Sequence, residues 1–183
     1  MADSLWQDKT LVGRFNRGDS EALRRIYARY RVDLVTLATA LLFDKAQAED
    51  AVHEVFARLV QNGTTIRITS NLRGYLLRAV ANTARNMNRL RRGSDLSQAD
   101  TDGVDLRVVP SPDGQAMQAE HRERLPWALE QLPYEQREVV LLRHYGGLRF
   151  RAIAKCQDVS VGAAQARYRY GIDKLRSLLD GDS

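Results

Sequence analysis

The chain has 183 residues, 44% hydrophobic and 28% charged, with 28 Lys and Arg against 23 Asp and Glu and a formal net charge of +5. That length admits one domain or two small ones; no apolar run approaches the ~20 residues needed to cross a bilayer, and "MADSLWQDKTLVGRF" has acids where a secretory signal starts with bases. A single cysteine, Cys156, and the scattered His53, His121 and His144 offer neither an internal disulfide nor metal-ligand spacing, so a cytoplasmic, globular protein without metal or cofactor is expected, with an anionic partner suggested by the excess of base.

From about Lys9 to Arg92 the apolar residues recur at helical spacing. Leu23, Ile26, Tyr27 and Tyr30 form one stripe, Leu34, Leu37, Ala38, Leu41 and Leu42 the next. An all-helical domain over 1–93 follows. Gly18 and Asp19 break the first helix, and Asp19 is placed to cap the second. The helix "DKAQAEDAVHEVFARLV" at 44–60 buries Val52, Val55, Phe56 and Leu59, which leaves Glu49, Asp50, His53 and Glu54 on an outward acidic face. Such a face is solvated surface or a protein-docking surface. Its paired carboxylates have no nucleophile, metal cluster or phosphate-cradling loop nearby, so no catalytic residue is assigned and the chain is not read as an enzyme.

Ser70 or Asn71 caps the helix that runs to Arg92. Leu77, Val80, Ala84 and Met87 make its apolar stripe, while Arg78, Arg85, Arg89 and Arg92 align on a second stripe without interleaved acids. Asn82, Asn86 and Asn88 stand among the arginines as amides able to meet base edges, so nucleic acid is the better reading of this face.

The segment 94–116 reads as a linker, because Asp95, Asp100, Asp102, Asp105 and Asp113 face only Arg107 and no period is sustained. Over 64–70, "TTIRITS" is too short and isolated to build a sheet. A second helical block spans 117–183, with Pro133 opening a helix and Gly146-Gly147 closing it. Within it, Arg151 to Gln157, the turn Asp158-Val159, and a helix capped by Ser160 read as a helix-turn-helix. Ile153, Ala154, Val159, Val161, Ala164, Tyr168 and Leu175 are its packing side. Gly162, Ala163, Gln165, Ala166, Arg167 and Arg169 face outward. Cys156 lies on the inner side as a small buried hydrophobe.

Set in order, "GDSEALRRIYARY", "LLFDKAQAEDAVHEVFARL", "NLRGYLLRAVANTARNMNRLRR", "LEQLPYEQREVVLLRHYGGL" and "IAKCQDVSVGAAQAR" resemble the bacterial sigma factors of the extracytoplasmic-function (ECF) group, the sigma-70 family members that keep only regions 2 and 4. The resemblance implies an all-α protein of two small domains, region 2 over 1–93 and region 4 over 117–183. It implies core RNA polymerase (β′ clamp helices and β flap) and promoter DNA as partners, an anti-sigma factor as a candidate further partner, and association with the nucleoid when polymerase is bound. Asp50, Val52, Glu54 and Phe56 correspond to the helix that docks on the polymerase, with His53 where a glutamine is usual. Tyr75, Arg78, Asn82, Arg85, Asn86, Arg89 and Arg92 correspond to the part that opens and binds the minus-10 element. Tyr75 stands where tryptophan is common, and Asn86 where aspartate is common.

For the minus-35 element the resemblance points to Arg149, Arg151, Lys155, Ser160, Gln165, Arg167 and Arg169. Here the pattern changes: Arg149, Arg151, Ala152 and Lys155 replace a cap and acids, Asp158 replaces the turn glycine, and Ala163, Ala164, Gln165 and Ala166 replace threonine, valine, lysine and serine. A good bidentate base contact discriminates by ~1 to 3 kcal/mol, which alanine does not supply. Strong backbone grip with weak base reading is therefore expected of this half. The acidic linker reads equally as a temporary anionic occupant of the polymerase's nucleic-acid path or as a plain tether. The alternative from another class is a stand-alone helix-turn-helix regulator of operator DNA, which leaves the N-terminal block without a task and usually needs a dimer.

Overall fold

Asp19 shows how the chain sets its first boundary. Its Oδ1 accepts from the backbone N–H of Glu21 at 2.9 Å and of Ala22 at 3.2 Å, while Oδ2 accepts from Arg14 Nε at 2.6 Å. One carboxylate thus caps a helix and ties it to the preceding one. In the computed structural model, which describes residues 2–62, 68, 71–95 and 124–180, that cap separates α1 (Ala2–Phe15) from α2 (Ser20–Leu42). The remaining helices are α3 (Lys45–Gln61), α4 (Leu72–Asp95), α5 (124–130), α6 (Tyr134–His144), α7 (Phe150–Gln157) and α8 (Val161–Asp180). Every described element is helical. Most of the linker lies outside the described residues, as does 64–70 except Ile68. That residue is buried and exchanges two hydrogen bonds with Asn16, at 3.1 and 3.2 Å.

The Arg14 hydrogen bond holds the Asp19 carboxyl below its ordinary range, and the two backbone donors act in the same direction. The stabilisation is therefore present above the usual carboxylate pKa and is lost as pH falls through the lowered folded value. Asp19→Ala is expected to lower the melting temperature at pH 7, and the gap to the native chain should close as the solution is taken toward pH 2. A gap independent of pH would show that the carboxylate charge is immaterial.

The other boundaries follow similar chemistry. Asp44 Oδ1 accepts from Gln47 N at 3.0 Å to open α3, Asn71 Oδ1 from Gly74 N at 2.9 Å to open α4, and Ser160 Oγ from Ala163 N at 3.1 Å to open α8. α2 ends on Phe43 in the left-handed conformation, φ 54°, and the helix-turn-helix turns on Asp158 with φ 53°. A left-handed residue costs a side-chain-bearing position roughly 1–2 kcal/mol. At Phe43 the ring so placed lies under the Arg137 guanidinium, 4.6 Å from its centroid.

α1 to α4 enclose Ile26, Leu34, Leu37, Leu41, Val52, Val55, Leu59, Leu72, Leu77 and Val80, all at most 3% exposed. α6, α7 and α8 pack on one another, and Ala128, Leu129, Leu132, Val140 and Leu175 form a smaller cluster beneath α8. The two blocks also share apolar surface. Tyr134, Val139, Leu142, Leu148, Ile153 and Cys156 join the core of the N-terminal block. Gly74 permits part of this approach, since a Cβ there would stand 3.2 Å from Leu148 Cδ2.

Candidate nucleic-acid interface

α3 turns its apolar stripe inward, so Val52 and Phe56 are buried at 1% and 7% exposure and serve to hold the helix. Of the residues expected to meet polymerase, Asp50 and Glu54 are the ones on the outer side. Glu54 pairs with Arg58 one turn on, Glu49 pairs with Arg31 at 3.3 Å, and Asp50 is exposed. His53 bonds Tyr27 Oη at 3.1 Å, and Tyr27 meets Phe56 edge to face at 4.9 Å. The acidic face thus rests on a fixed aromatic base.

On α4 the expected guanidinium row is only partly open. Arg89 and Asn86 are exposed, Asn82 is exposed, and Arg78 is half-buried with its Nε donating to Gly74 O at 3.1 Å. The side chain of Arg92 lies outside the described residues. Tyr75 is half-buried, and burial raises its phenol pKa. Two expectations need correction. Asn88 was expected among the outward amides but is 8% exposed, because it follows Ala84 by four residues on the apolar stripe. Arg85 was expected in the open row, yet it turns into the seam between the blocks.

There Arg85 grips Glu138 of α6 through Nη2 to Oε1 at 2.5 Å and Nε to Oε2 at 3.2 Å, and its Nη1 donates to Cys156 O at 2.6 Å. The Glu138 side chain is 0% exposed and that of Arg85 29%. Burial pushes the Glu138 carboxyl pKa up, opposed by the donors from Arg85 and Gln157. Gln157 Nε2 donates to Glu138 Oε2 at 2.7 Å, and Arg167 Nη1 donates to Gln157 Oε1 at 2.8 Å. The Cys156 thiol faces Asn82 Oδ1 at 3.0 Å. At the other end of the seam, Arg73 donates to Asp33 at 3.0 Å and to the carbonyls of Tyr145 and Gly146 at 3.2 Å each, and Arg137 donates to Leu41 O at 2.8 Å.

Sequence reasoning did not single out Arg73 or Glu138. For Glu138 a signal existed: Tyr134, Glu138 and Leu142 recur at four-residue steps, which sets a carboxylate on an apolar stripe. Beside the seam, Val55, Leu59, Ala79 and Cys156, with Arg58, Tyr75, Arg78, Asn82 and Lys155, line a cavity of about 450 Å³.

In the helix-turn-helix, Arg149, Arg151, Lys155, Ser160, Gln165 and Arg169 are exposed, and Arg167 is half-buried against Gln157. Ala164 is buried, Ala163 and Ala166 half-buried. Tyr168 stacks on His144 at 5.5 Å and meets Phe150 at 5.3 Å. Val161, expected on the packing side, is 42% exposed, because the stripe begins at Ala164 and runs off the packed face in the first turn.

Exposed bases on α4 and on a helix-turn-helix define a DNA-binding protein of all-helical build. Residues 26–94 match the model of sigma-70 region 2 and residues 122–175 that of sigma-70 region 4, so the chain belongs to the sigma-70 family, in its extracytoplasmic-function group. Similar proteins include the RNA polymerase sigma-H factor of Pseudomonas aeruginosa, 29% identical over 94% of this chain and 96% of that protein. The ECF RNA polymerase sigma-E factor of Escherichia coli K12 is 26% identical over 94% and 92%. Two solved structures share the fold. CnrH in complex with the cytosolic domain of CnrY has a TM-score of 0.68 at 23% identity, covering 97% of this chain and 99% of that one. The sigma factor RpoE of Bartonella quintana, in complex with the anti-sigma factor NepR, has a TM-score of 0.71 at 19% identity, covering 87% and 98%.

Proposed function

We propose that the chain is an ECF sigma factor that binds core RNA polymerase, directs it to promoters and takes part in opening the DNA, with no bond chemistry of its own. The observation that carries the reading is the match of regions 2 and 4, in that order, on a chain whose α3 presents acid and whose α4 and helix-turn-helix present base. Residues 1–93 act as the polymerase and minus-10 domain, 94–116 as the acidic tether, and 117–183 as the minus-35 domain. Asp50 and Glu54 meet the β′ clamp helices, positioned by Val52 and Phe56. Region 4 meets the β flap. An anti-sigma factor is a fitting regulator, since the solved relatives CnrH and RpoE are each held by a second protein. The protein works in the bacterial cytoplasm, on the nucleoid when polymerase is bound.

Arg78, Asn82, Arg85, Asn86, Arg89 and Arg92 engage the minus-10 strand. The cavity beside Tyr75 has the size of a small-ligand site and the mixed apolar and cationic lining an unstacked base requires. Unstacking costs a few kcal/mol, which stacking on an aromatic and a basic groove offset. A stand-alone operator-binding regulator is not favoured, because it leaves region 2 without a role. Run-off transcription with core polymerase and a pool of random promoters tests the reading, and failure to start transcripts from any promoter would refute it.

The minus-35 half has its own expected result. Arg149, Arg151 and Lys155 add phosphate contacts, each contributing about one unit of salt slope, while alanines replace base readers. Gel shifts should show weak base discrimination and steep loss of affinity with salt. Strong discrimination at ordinary salt would contradict it.

A further inference from the structure

The cavity beside Tyr75 draws its lining from three helices. Most of it comes from α3 and α4, and α7 adds Lys155 and Cys156. Its volume of about 450 Å³ lies within the ~300 to 1,000 Å³ that small-molecule sites occupy.

The polar part of that lining is one-sided. Arg58, Arg78 and Lys155 bring three cations, and no carboxylate is among the described residues that line the space. Asn82 Oδ1 is already taken, by the Cys156 thiol at 3.0 Å and by Arg85 Nη1 at 3.3 Å, so what Asn82 has left to offer is its amide N–H donors. Arg58 is shared with Glu54. Arg78, by contrast, uses only Nε among its described bonds, on the Gly74 carbonyl, and Lys155 is exposed with no ion pair among the described residues. A space lined by one sign of charge concentrates counter-ions. A phosphate monoester, at about −1.5 to −2 near neutral pH, matches two cations better than a single carboxylate does, and arginine offers it parallel donors. The rest of the lining is Val55, Leu59 and Ala79 with the ring of Tyr75, which suits a flat aromatic body and leaves inorganic phosphate without a partner for its other side.

Resting on the sigma-factor reading above, we propose that this cavity is a site for a free mononucleotide, and that its occupant excludes the minus-10 strand. The phosphate is taken by Arg78 and Lys155, and the base by Tyr75 and the apolar side chains. Exclusion follows because Tyr75, Arg78 and Asn82 serve both ligands. A nucleotide within a DNA strand has the same chemistry as a free one. Lys155 separates the two sources, since it belongs to α7 and gives the free nucleotide a contact outside the minus-10 set. A competitor present at ten times its Kd lowers the apparent affinity for the strand about elevenfold.

The test uses the full chain without polymerase at low salt. Calorimetry measures binding of the 5′-monophosphates of adenosine, guanosine, cytidine and thymidine, with the four nucleosides and inorganic phosphate alongside. Anisotropy of a fluorescent twelve-nucleotide single strand reads competition. At least one monophosphate should bind one to one, at least tenfold more tightly than its nucleoside and than phosphate, and at ten times its Kd should weaken the strand about tenfold. Lys155→Ala should weaken the nucleotide at least fivefold, while Arg176→Ala, an exposed base on α8 that does not line the cavity, should leave it within twofold. Absence of saturable binding at millimolar nucleotide, equal affinity for phosphate, no competition with the strand, full affinity in Lys155→Ala, or an equal loss in Arg176→Ala would each overturn the proposal. If circular dichroism shows a variant misfolded, the comparison of nucleotide, nucleoside and phosphate on the native chain decides. Failure of the sigma-factor reading would appear separately, as no run-off transcript from any promoter with the monophosphate left out.

Discussion

Core RNA polymerase is expected to be lost from a pull-down by the double variant Asp50→Arg, Glu54→Arg, with retention falling at least tenfold while circular dichroism and melting stay close to those of the native chain. The reasoning starts with burial. Val52 and Phe56 anchor α3 in the core, and Asp50 and Glu54 lie on the opposite side. Neither change therefore opens a cavity. Glu54 gives up one surface pair with Arg58, and exposed pairs contribute little to stability, typically below about 1 kcal/mol. At an interface the same change sets like charges against a partner that expects acid, and such juxtaposition costs several kcal/mol. Each 1.4 kcal/mol is about a factor of ten. Unchanged retention would show that polymerase is held elsewhere.

The second large effect concerns the open part of the arginine row. Arg78→Ala with Arg89→Ala should lower run-off transcription about a hundredfold while polymerase is still retained. A net hydrogen bond to a charged group contributes about 1.5–3 kcal/mol, so two such contacts reach or exceed that factor. Arg89 is exposed, and Arg78 makes only a bond to its own helix's Gly74 carbonyl among those described, so the fold should survive their removal. Undiminished transcription would remove this face from the minus-10 assignment. Because α3 and α4 carry opposite charge on neighbouring helices, the two double variants separate polymerase binding from DNA engagement in one chain.

Much of the architecture was legible because local chemistry determines it. Apolar stripes located α2, α3 and α4, and short polar side chains marked the starts of α2, α4 and α8: Asp19, Asn71 and Ser160 each accept from the helix they open. The turn at Asp158 was readable as a left-handed residue in a glycine's place, and it has φ 53°. Asn88 and Val161 failed for a common reason. A stripe has a finite width and a finite end, and residues at its margin are settled by the partner surface, which periodicity does not contain. The seam was invisible for a stronger reason: Arg85 and Glu138 are 53 residues apart, and each reads as an ordinary surface charge until the fold brings them together. Glu138 could have been suspected from its place between Tyr134 and Leu142. Its partner could not, since no spacing rule links separate helical blocks.

Cys156 has a consequence of a different kind. It is the chain's single cysteine, buried at the seam, and burial raises its thiol pKa so that little reactive thiolate is present near neutral pH. Cys156 also lines the cavity beside Tyr75, so a neutral alkylating reagent approaches it through that opening. With no residue changed, the labelling rate of this one sulfur reports how far that cavity is covered, and a DNA strand seated over it should slow the reaction.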